Sequence, residues 1–354
     1  MLILNVIAAI SLILACLCCF ISPETIWWIG FCGLAYMYLL IVNICFVVIW
    51  VLIRKRTFVL ISTITILFAS TFLGKNIQLF EKEISEEDRE RSYKVLSFNV
   101  DGFSSRKRVQ TDGNTQNIFE FLRDENADII CIQEYTFDRW DENFDENTIR
   151  KFLDKTPYYY AEMQRGHFGV ATFSKYPIIR KELVYINKTN NICMCSDVLM
   201  GTDTIRVYNV HLISTGFRKA ETGLLENVVR IEYDRSDVRT IKSIIRKFKI
   251  SSYDRAEQVE ILISHIAKSP YPVIICGDFN DTPMSYSYHK VRGNRKDAFI
   301  EAGSGRSTTF NIGRIASLRI DYILYSDVFK AYSYDSPRVD LSDHFPVMCR
   351  LVKK

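Results

Sequence analysis

At 354 residues the chain has room for one large domain plus an accessory region. Its net charge of +4 is close to balanced, which excludes a global field that would steer it onto nucleic acid. The apolar content, 48%, is ordinary on average but very unevenly placed.

Residues 1–74 are almost wholly apolar; up to Leu73 their only charged side chains are Glu24, Arg54, Lys55 and Arg56. A membrane span needs about 20 apolar residues. The sequence predicts three transmembrane helices, over residues 2–22, 26–53 and 57–73, with Trp27, Trp28 and Trp50 near span ends, where interfacial aromatics are favoured. A cleaved signal peptide is the rival for the first span, but a basic leading region is missing and apolar sequence resumes soon after Phe20. Arg54-Lys55-Arg56 would lie in the cytoplasm by the positive-inside rule. The chain is then expected to be a multi-pass protein of a bacterial inner membrane, with the residues from about 75 onward on the outer, periplasmic face.

Residues 75–92 are charged and read as a helical stem or linker. From Tyr93 onward, apolar β-branched runs recur at Val95–Val100, Asp128–Ile132, Tyr158–Met163, Val170–Phe173, Ile192–Leu199, Ile205–His211, Val273–Cys276, Ile320–Tyr325 and Pro346–Val352; these are predicted strands. Helical periodicity lies between them at 114–126, 234–249 and 254–268. In the second of these, Val238, Ile241, Ile245 and Phe248 form an apolar stripe, and Arg239, Lys242, Arg246 and Lys249 form a basic one beside it. The basic stripe is either a solvated face or a dock for anionic lipid or a phosphate-rich substrate. Many strands with interspersed helices predict a layered α/β domain. Cys131, Cys193, Cys195, Cys276 and Cys349 fit small core positions rather than a disulfide framework.

Short polar clusters close most of these runs: Ser97 to Gly102, Ile132 to Glu134, Tyr208 to Leu212, Gly277 to Asp281, Arg319 to Tyr322 and Ser342 to His344. They supply carboxylates, carboxamides and two imidazoles. Hydrolysis of a phosphate ester needs charge neutralisation at phosphate, a base for water, a donor for the leaving oxygen and donors for the developing charge. Magnesium suits such a set, because it takes oxygen ligands and needs only one or two carboxylates. Glu134 and Asn99 end strands; Asp278 and Asn280 share a strand-to-loop transition; Asp343 adjoins His344; Asp321 lies within a strand and needs a buried partner; His211 ends another strand. Taken singly, each is as well explained by a turn or a cap. Gly303-Ser304-Gly305-Arg306 reads as a plain turn or a phosphate nest, and Arg255 with Gln258, sharing one helix face, is a candidate support for the site.

The order Asn, Gln-Glu, Asn-x-His, Gly-Asp-x-Asn, Arg-x-Asp-Tyr, Ser-Asp-His resembles the endonuclease/exonuclease/phosphatase superfamily over residues 93–352. The resemblance implies a four-layer αββα sandwich, DNase I-like, here preceded by the three-helix transmembrane region. Composition and the resemblance together place the expected boundaries at 1–74, 75–92 and 93–354. The resemblance also implies Mg²⁺, with Mn²⁺ as a substitute, held by Glu134 with Asn99 and Asp343. Asp278 would orient or deprotonate the attacking water, and Asn280 would stabilise the pentacovalent phosphate. His344, held by Asp321, would bind phosphate or act as base; His211 would donate to phosphate or protonate the leaving group. A histidine at 211, where abasic-site endonucleases carry tyrosine, leans toward the DNase I-like and phosphatase-like members.

The expected function is a membrane-anchored Mg²⁺-dependent phosphoesterase. It would cleave phosphodiester or phosphomonoester bonds of lipid head groups or other small phosphoesters, with the lipid bilayer as a partner. The alternatives are an extracytoplasmic nuclease and a non-catalytic membrane sensor or scaffold.

Overall fold

The structure, a computed structural model, describes the chain apart from residues 104–117, 138–144, 164–167, 187–190, 217–234 and 313–315. Two six-stranded sheets form its centre. The first contains β1 (Tyr93–Asn99), β2 (Ile129–Tyr135), β3 (Tyr158–Met163), β4 (Gly169–Ser174), β13 (Phe329–Asp335) and β14 (Val347–Lys353) in the order β13-β14-β1-β2-β4-β3. The second contains β5 (Ile178–Val184), β6 (Cys193–Met200), β7 (Asp203–His211), β8 (Val273–Asp278), β9 (Lys296–Asp297) and β12 (Asp321–Tyr325) in the order β5-β6-β7-β8-β12-β9. A short hairpin, β10 (Phe310–Ile312) with β11 (Ala316–Leu318), stands apart from both.

Strand periodicity of two decides what each face buries. Val95, Ile129 and Cys131 of the first sheet meet Val207, Ile274 and Cys276 of the second in a shared core. The alternate residues Leu96, Phe98, Ile130 and Ile132 face outward onto Ile118, Phe121 and Leu122 of the helix Ile118–Glu125 and Ile149 of the helix Glu146–Phe152. On the far side, Tyr208, Val210 and Ile275 pack against Val259, Leu262 and Ile266 of the helix Arg235–Ile266. Each such apolar side chain contributes about 1.5–3 kcal/mol when fully buried.

The helix Arg235–Ile266 runs unbroken for 32 residues where the sequence predicts two helices. Ser251 and Ser252, at the expected break, donate their hydroxyls back to Phe248 O at 3.2 and 2.7 Å, which satisfies them inside the helix. Of the expected apolar stripe, Phe248 is buried while Val238 and Ile245 are exposed; Arg239, Lys242, Arg246 and Lys249 are also exposed. The starts of the predicted helices at residues 114–117 and 234 lie outside the described residues.

The predicted transmembrane region is not supported. The three longest helices there are Leu2–Leu17, Tyr36–Leu52 and Arg56–Ser70, of 16, 17 and 15 residues. At 1.5 Å per residue they extend only about 22–26 Å, against a hydrocarbon core of about 30 Å. Among the described residues no helix is long and apolar enough to cross a membrane, so the multi-pass, outer-face placement and the bilayer as partner are not supported either. The expected span 26–53 fails because the chain breaks there into Pro23–Ile26, Ile29–Leu34 and Tyr36–Leu52. These helices turn polar groups inward: Asn5 Nδ2 donates to Ser62 Oγ (2.5 Å), Ser62 Oγ to Asn43 Oδ1 (3.0 Å), and Trp50 Nε1 to Asn5 Oδ1 (2.9 Å). Ile3, Leu52, Ile64 and Leu67 remain exposed.

The expected stem is mostly without regular secondary structure. Only Glu86–Glu90 is an α-helix, and Gln78 forms a two-bond bridge with Gly305 that ties the segment to the sandwich. Gly303–Arg306 therefore sits beside this strap.

Candidate active site

Strand register assembles the polar clusters. Parallel pairing of β1 with β2 sets Asn99 beside Gln133, and parallel pairing of β7 with β8 sets His211 beside Asp278. Antiparallel pairing of β12 with β8 sets Asp321 on the other side of Asp278. His211, Asp278 and Asp321 thus stand in a row across the second sheet, while Asn99 and Glu134 end adjacent strands of the first.

Two local devices aim these side chains. The β2–β4 register shifts between Gln133 and Tyr135, and Glu134 has φ 53°, so a bulge turns Glu134 out of the ladder. Asn280 is also left-handed at φ 50°, a conformation that costs a non-glycine residue free energy and clusters at functional sites. Gly277 has φ 144°, and a Cβ there would lie 1.9 Å from Val210 O; only glycine lets β8 approach β7 this closely.

Asp278 is the hub. Its Oδ2 accepts from Asn99 Nδ2 (3.0 Å) and Asn280 Nδ2 (3.1 Å), and its Oδ1 from Asn280 N–H (2.8 Å). His211 Nε2 lies 3.8 Å and His344 Nε2 3.7 Å from Asp278 Oδ2. Asn99 Nδ2 also donates to Glu134 Oε1 (3.1 Å), while its Oδ1 accepts from Asp101 N–H. His344 Nδ1 is 3.0 Å from Asp321 Oδ2. Ser342 Oγ donates to Asn99 O (2.8 Å) and accepts from His344 N–H (3.2 Å), which fastens the Ser-Asp-His turn to the end of β1. Asp343 is exposed at the mouth of the same cleft. All eight residues singled out by sequence therefore converge.

The electrostatics separate the two histidines. Burial lowers His211, against the pull of Asp278, and favours a neutral ring. Burial also opposes charge on His344, but Asp321 and then Asp278 outweigh it and push the imidazole up to about 10. Burial, with Asp321 next, raises Asp278, opposed by His344 and His211. Burial raises Glu134 to about 7; the Asn99 hydrogen bond opposes this, and the nearby Asp278 and Asp343 carboxylates add to it.

Glu134, Asp278 and Asp343 thus crowd three carboxylates into one cleft, and Asp278, Asp321 and His344 form a buried cluster within metal-ligating range of one another. Buried His211 Nε2 and Asp321 Oδ1 lack a hydrogen-bond partner among the described residues. Oxygen-rich, mutually repelling and incompletely satisfied, this donor set fits a hard divalent cation.

Arg255 and Gln258, paired on one helix face by the sequence, hold the loop after His211, whereas Thr309 and four apolar side chains were not legible as site components. Arg255 Nη1 donates to Ile213 O (2.7 Å) and its Nε lies 3.4 Å from Asp281 Oδ2, while Gln258 Oε1 accepts from Ile213 N–H; together they pin the loop after His211. Thr309 Oγ1 accepts from the N–H groups of Ile320 and Asp321. Leu34, Phe248, Phe310 and Leu318 line the cleft, whose volume is about 420 Å³. Nothing in their local sequence marks them. Arg319, within the Arg-x-Asp-Tyr cluster, turns away to pair with Asp297 (2.8 Å) and to donate to Lys75 O.

Comparison with known proteins places the chain in a family. The model of the Endonuclease/Exonuclease/phosphatase family matches residues 96–344, and the chain belongs to that family. It is an enzyme, a hydrolase acting on phosphoester bonds, of a family that is generally dependent on a divalent metal. A separate model, a domain of unknown function (DUF8431), matches residues 1–76. An exodeoxyribonuclease of Bacillus subtilis is 24% identical over 255 residues, 71% of this chain and 82% of that protein. Among the solved structures that share the fold are two from bacteria. One is an endonuclease/exonuclease/phosphatase from Bacteroides vulgatus, with TM-score 0.53 and 16% identity over 74% of this chain and 99% of that one. The other is from Beutenbergia cavernae, with TM-score 0.52 and 18% identity over 74% and 72%.

Proposed function

We propose that the chain is a Mg²⁺-dependent phosphoesterase acting on small organic phosphodiesters or phosphomonoesters, with its catalytic part at 93–354, a strap at 75–92 and an accessory helical part at 1–74. The observation that carries this reading is the Asp278 hub, where one carboxylate is held by three N–H donors between two imidazoles.

Glu134 and Asp343, with Asn99 positioning Glu134, would hold Mg²⁺. When bound, the ion supplies neutralising charge at the phosphoryl oxygens. Asp278 takes a proton from the attacking water, and its hydrogen bonds from Asn99 and Asn280 fix the oxygen that receives it. Asn280 Nδ2, which donates to Asp278 Oδ2 and to Leu212 O, would exchange one of these bonds for a phosphoryl oxygen. His344, kept cationic by Asp321, binds the phosphate charge. His211, kept neutral by burial and with Nε2 lacking a partner among the described residues, donates to phosphate or to the leaving oxygen.

The nuclease alternative is less well supported at the cleft itself. Among the described residues lining it, the only Lys or Arg is Arg255, and it is engaged by Ile213 O and Asp281. Nucleic-acid binding draws on several free cations along the backbone path.

The test is hydrolysis of bis(4-nitrophenyl) phosphate by the full chain before and after chelation. Stripping divalent ions is expected to abolish turnover, with Mg²⁺ or Mn²⁺ restoring it. Turnover indifferent to chelation contradicts the metal assignment.

A further inference from the structure

The helix Ile29–Leu34 of the accessory part reaches the active-site cleft. Two glycines permit the approach. A Cβ on Gly33 would lie 2.3 Å from Met284 O and 2.5 Å from Cys18 Sγ, and one on Gly30 would lie 2.9 Å from the Phe248 ring. Phe31 stacks on Phe248 at 4.2 Å between centroids and 23° between planes, and Cys18 Sγ donates to Met284 O at 2.7 Å. Met284 follows Gly277–Asp281 by three residues, so the helix is pinned beside the loop that carries Asp278 and Asn280. Leu34, next to Gly33, is thereby placed in the cleft wall; it is 37% exposed and lines the same cavity as Glu134, Asp278 and His344.

Leu34 has apolar company. Phe248 is buried against the accessory helix, Leu318 belongs to the β10–β11 hairpin, and the Phe310 ring sits 4.7 Å from the His344 ring. The wall therefore begins at the catalytic imidazole and runs outward to the accessory helix. At about 420 Å³ the cavity falls in the range of roughly 300–1,000 Å³ typical of small-molecule clefts, with room beside one phosphate for an organic group.

We propose that Leu34, Phe248, Phe310 and Leu318 form an apolar subsite that binds the organic substituent of a small phosphoester, and that the accessory helical part sets substrate specificity by supplying Leu34. This rests on the phosphoesterase reading and names the substrate class of that site: phosphoesters with an apolar aryl or alkyl group on the phosphate. The polar groups at one end hold the phosphate, and the wall excludes water from the substituent. Selectivity comes from the apolar surface that a larger substituent buries and a methyl group does not.

The experiment has a binding arm and a turnover arm, both on the full chain with Mg²⁺. Calorimetry compares phenylphosphonate with methylphosphonate. Kinetics compare 4-nitrophenyl phenyl phosphate with methyl 4-nitrophenyl phosphate, which share a leaving group. The wild-type chain is expected to prefer the phenyl member in both arms. Leu34→Ala is expected to cut that preference by about tenfold, expressed as the phenyl-to-methyl ratio of Kd or of kcat/KM. Leu34→Met, which keeps volume and apolarity, is expected to retain it. A wild-type chain without phenyl preference, or a ratio unmoved by Leu34→Ala, overturns the subsite. Because the ratio is internal to each variant, a general loss of folded protein does not imitate the effect. If phenylphosphonate binds selectively but neither ester turns over, the subsite stands and the phosphoesterase reading fails; turnover of both esters without preference gives the reverse.

Discussion

At the scale of single residues, the site is a device for keeping neighbouring ionisable groups in different states. Asp321 and Asp278 hold His344 as a cation, while burial leaves His211 neutral, so one imidazole supplies charge and the other a neutral donor. Glu134 bears the opposite stress. Its carboxyl rises from the usual 4.5 to about 7, chiefly through burial. Between those values the folded chain holds more protons than the unfolded one, so stability falls as pH rises across that window. In metal-free protein, the thermal midpoint is expected to drop more steeply between pH 4.5 and 7 in wild type than in Glu134→Gln, and saturating Mg²⁺ is expected to reduce the difference. Equal slopes for the two proteins would contradict the strain assigned to Glu134.

At the scale of elements, close contact between β7 and β8 brings His211 to Asp278, and Gly277 permits it. Gly277→Ala forces a Cβ against Val210 O and is expected to destabilise the chain by about 3 kcal/mol or more in denaturant unfolding. A stability within about 0.5 kcal/mol of wild type would show that the two strands can separate without cost. The buried strands were legible because runs such as Val273–Cys276 are continuously apolar. Edge strand β5 was not, because Arg180, Lys181 and Glu182 interrupt its pattern, and the alternating Phe329–Asp335 edge was missed for the same reason. The site clusters were readable because strand ends punctuate them. The bulge at Glu134 and the left-handed turn at Asn280 are tertiary consequences with no local signal, whereas the shared helix face of Arg255 and Gln258 was legible and only their target, Ile213, was not. The three predicted spans failed for a complementary reason. Apolar composition resembles a span whether a helix is long or interrupted, and here the chain is interrupted at Trp27, Trp28 and Ala35.

At the scale of the whole molecule, two sheets present their polar strand ends to one cleft, and the accessory helices close one side of it. Ties between the parts include Gln78 with Gly305, Arg319 with Lys75 O, Cys18 with Met284 O, and Phe31 with Phe248. One cleft is thus lined by residues as far apart in sequence as Leu34 and His344, and the proposed mechanism is centred on Asp278. The most direct test is the rate of bis(4-nitrophenyl) phosphate hydrolysis by full-length wild type and Asp278→Asn at saturating Mg²⁺, with matched folding and metal content. The account predicts that kcat falls by about 10³-fold or more, because the substitution removes the proton acceptor while keeping the shape of the side chain. A variant within about threefold of wild type would contradict it.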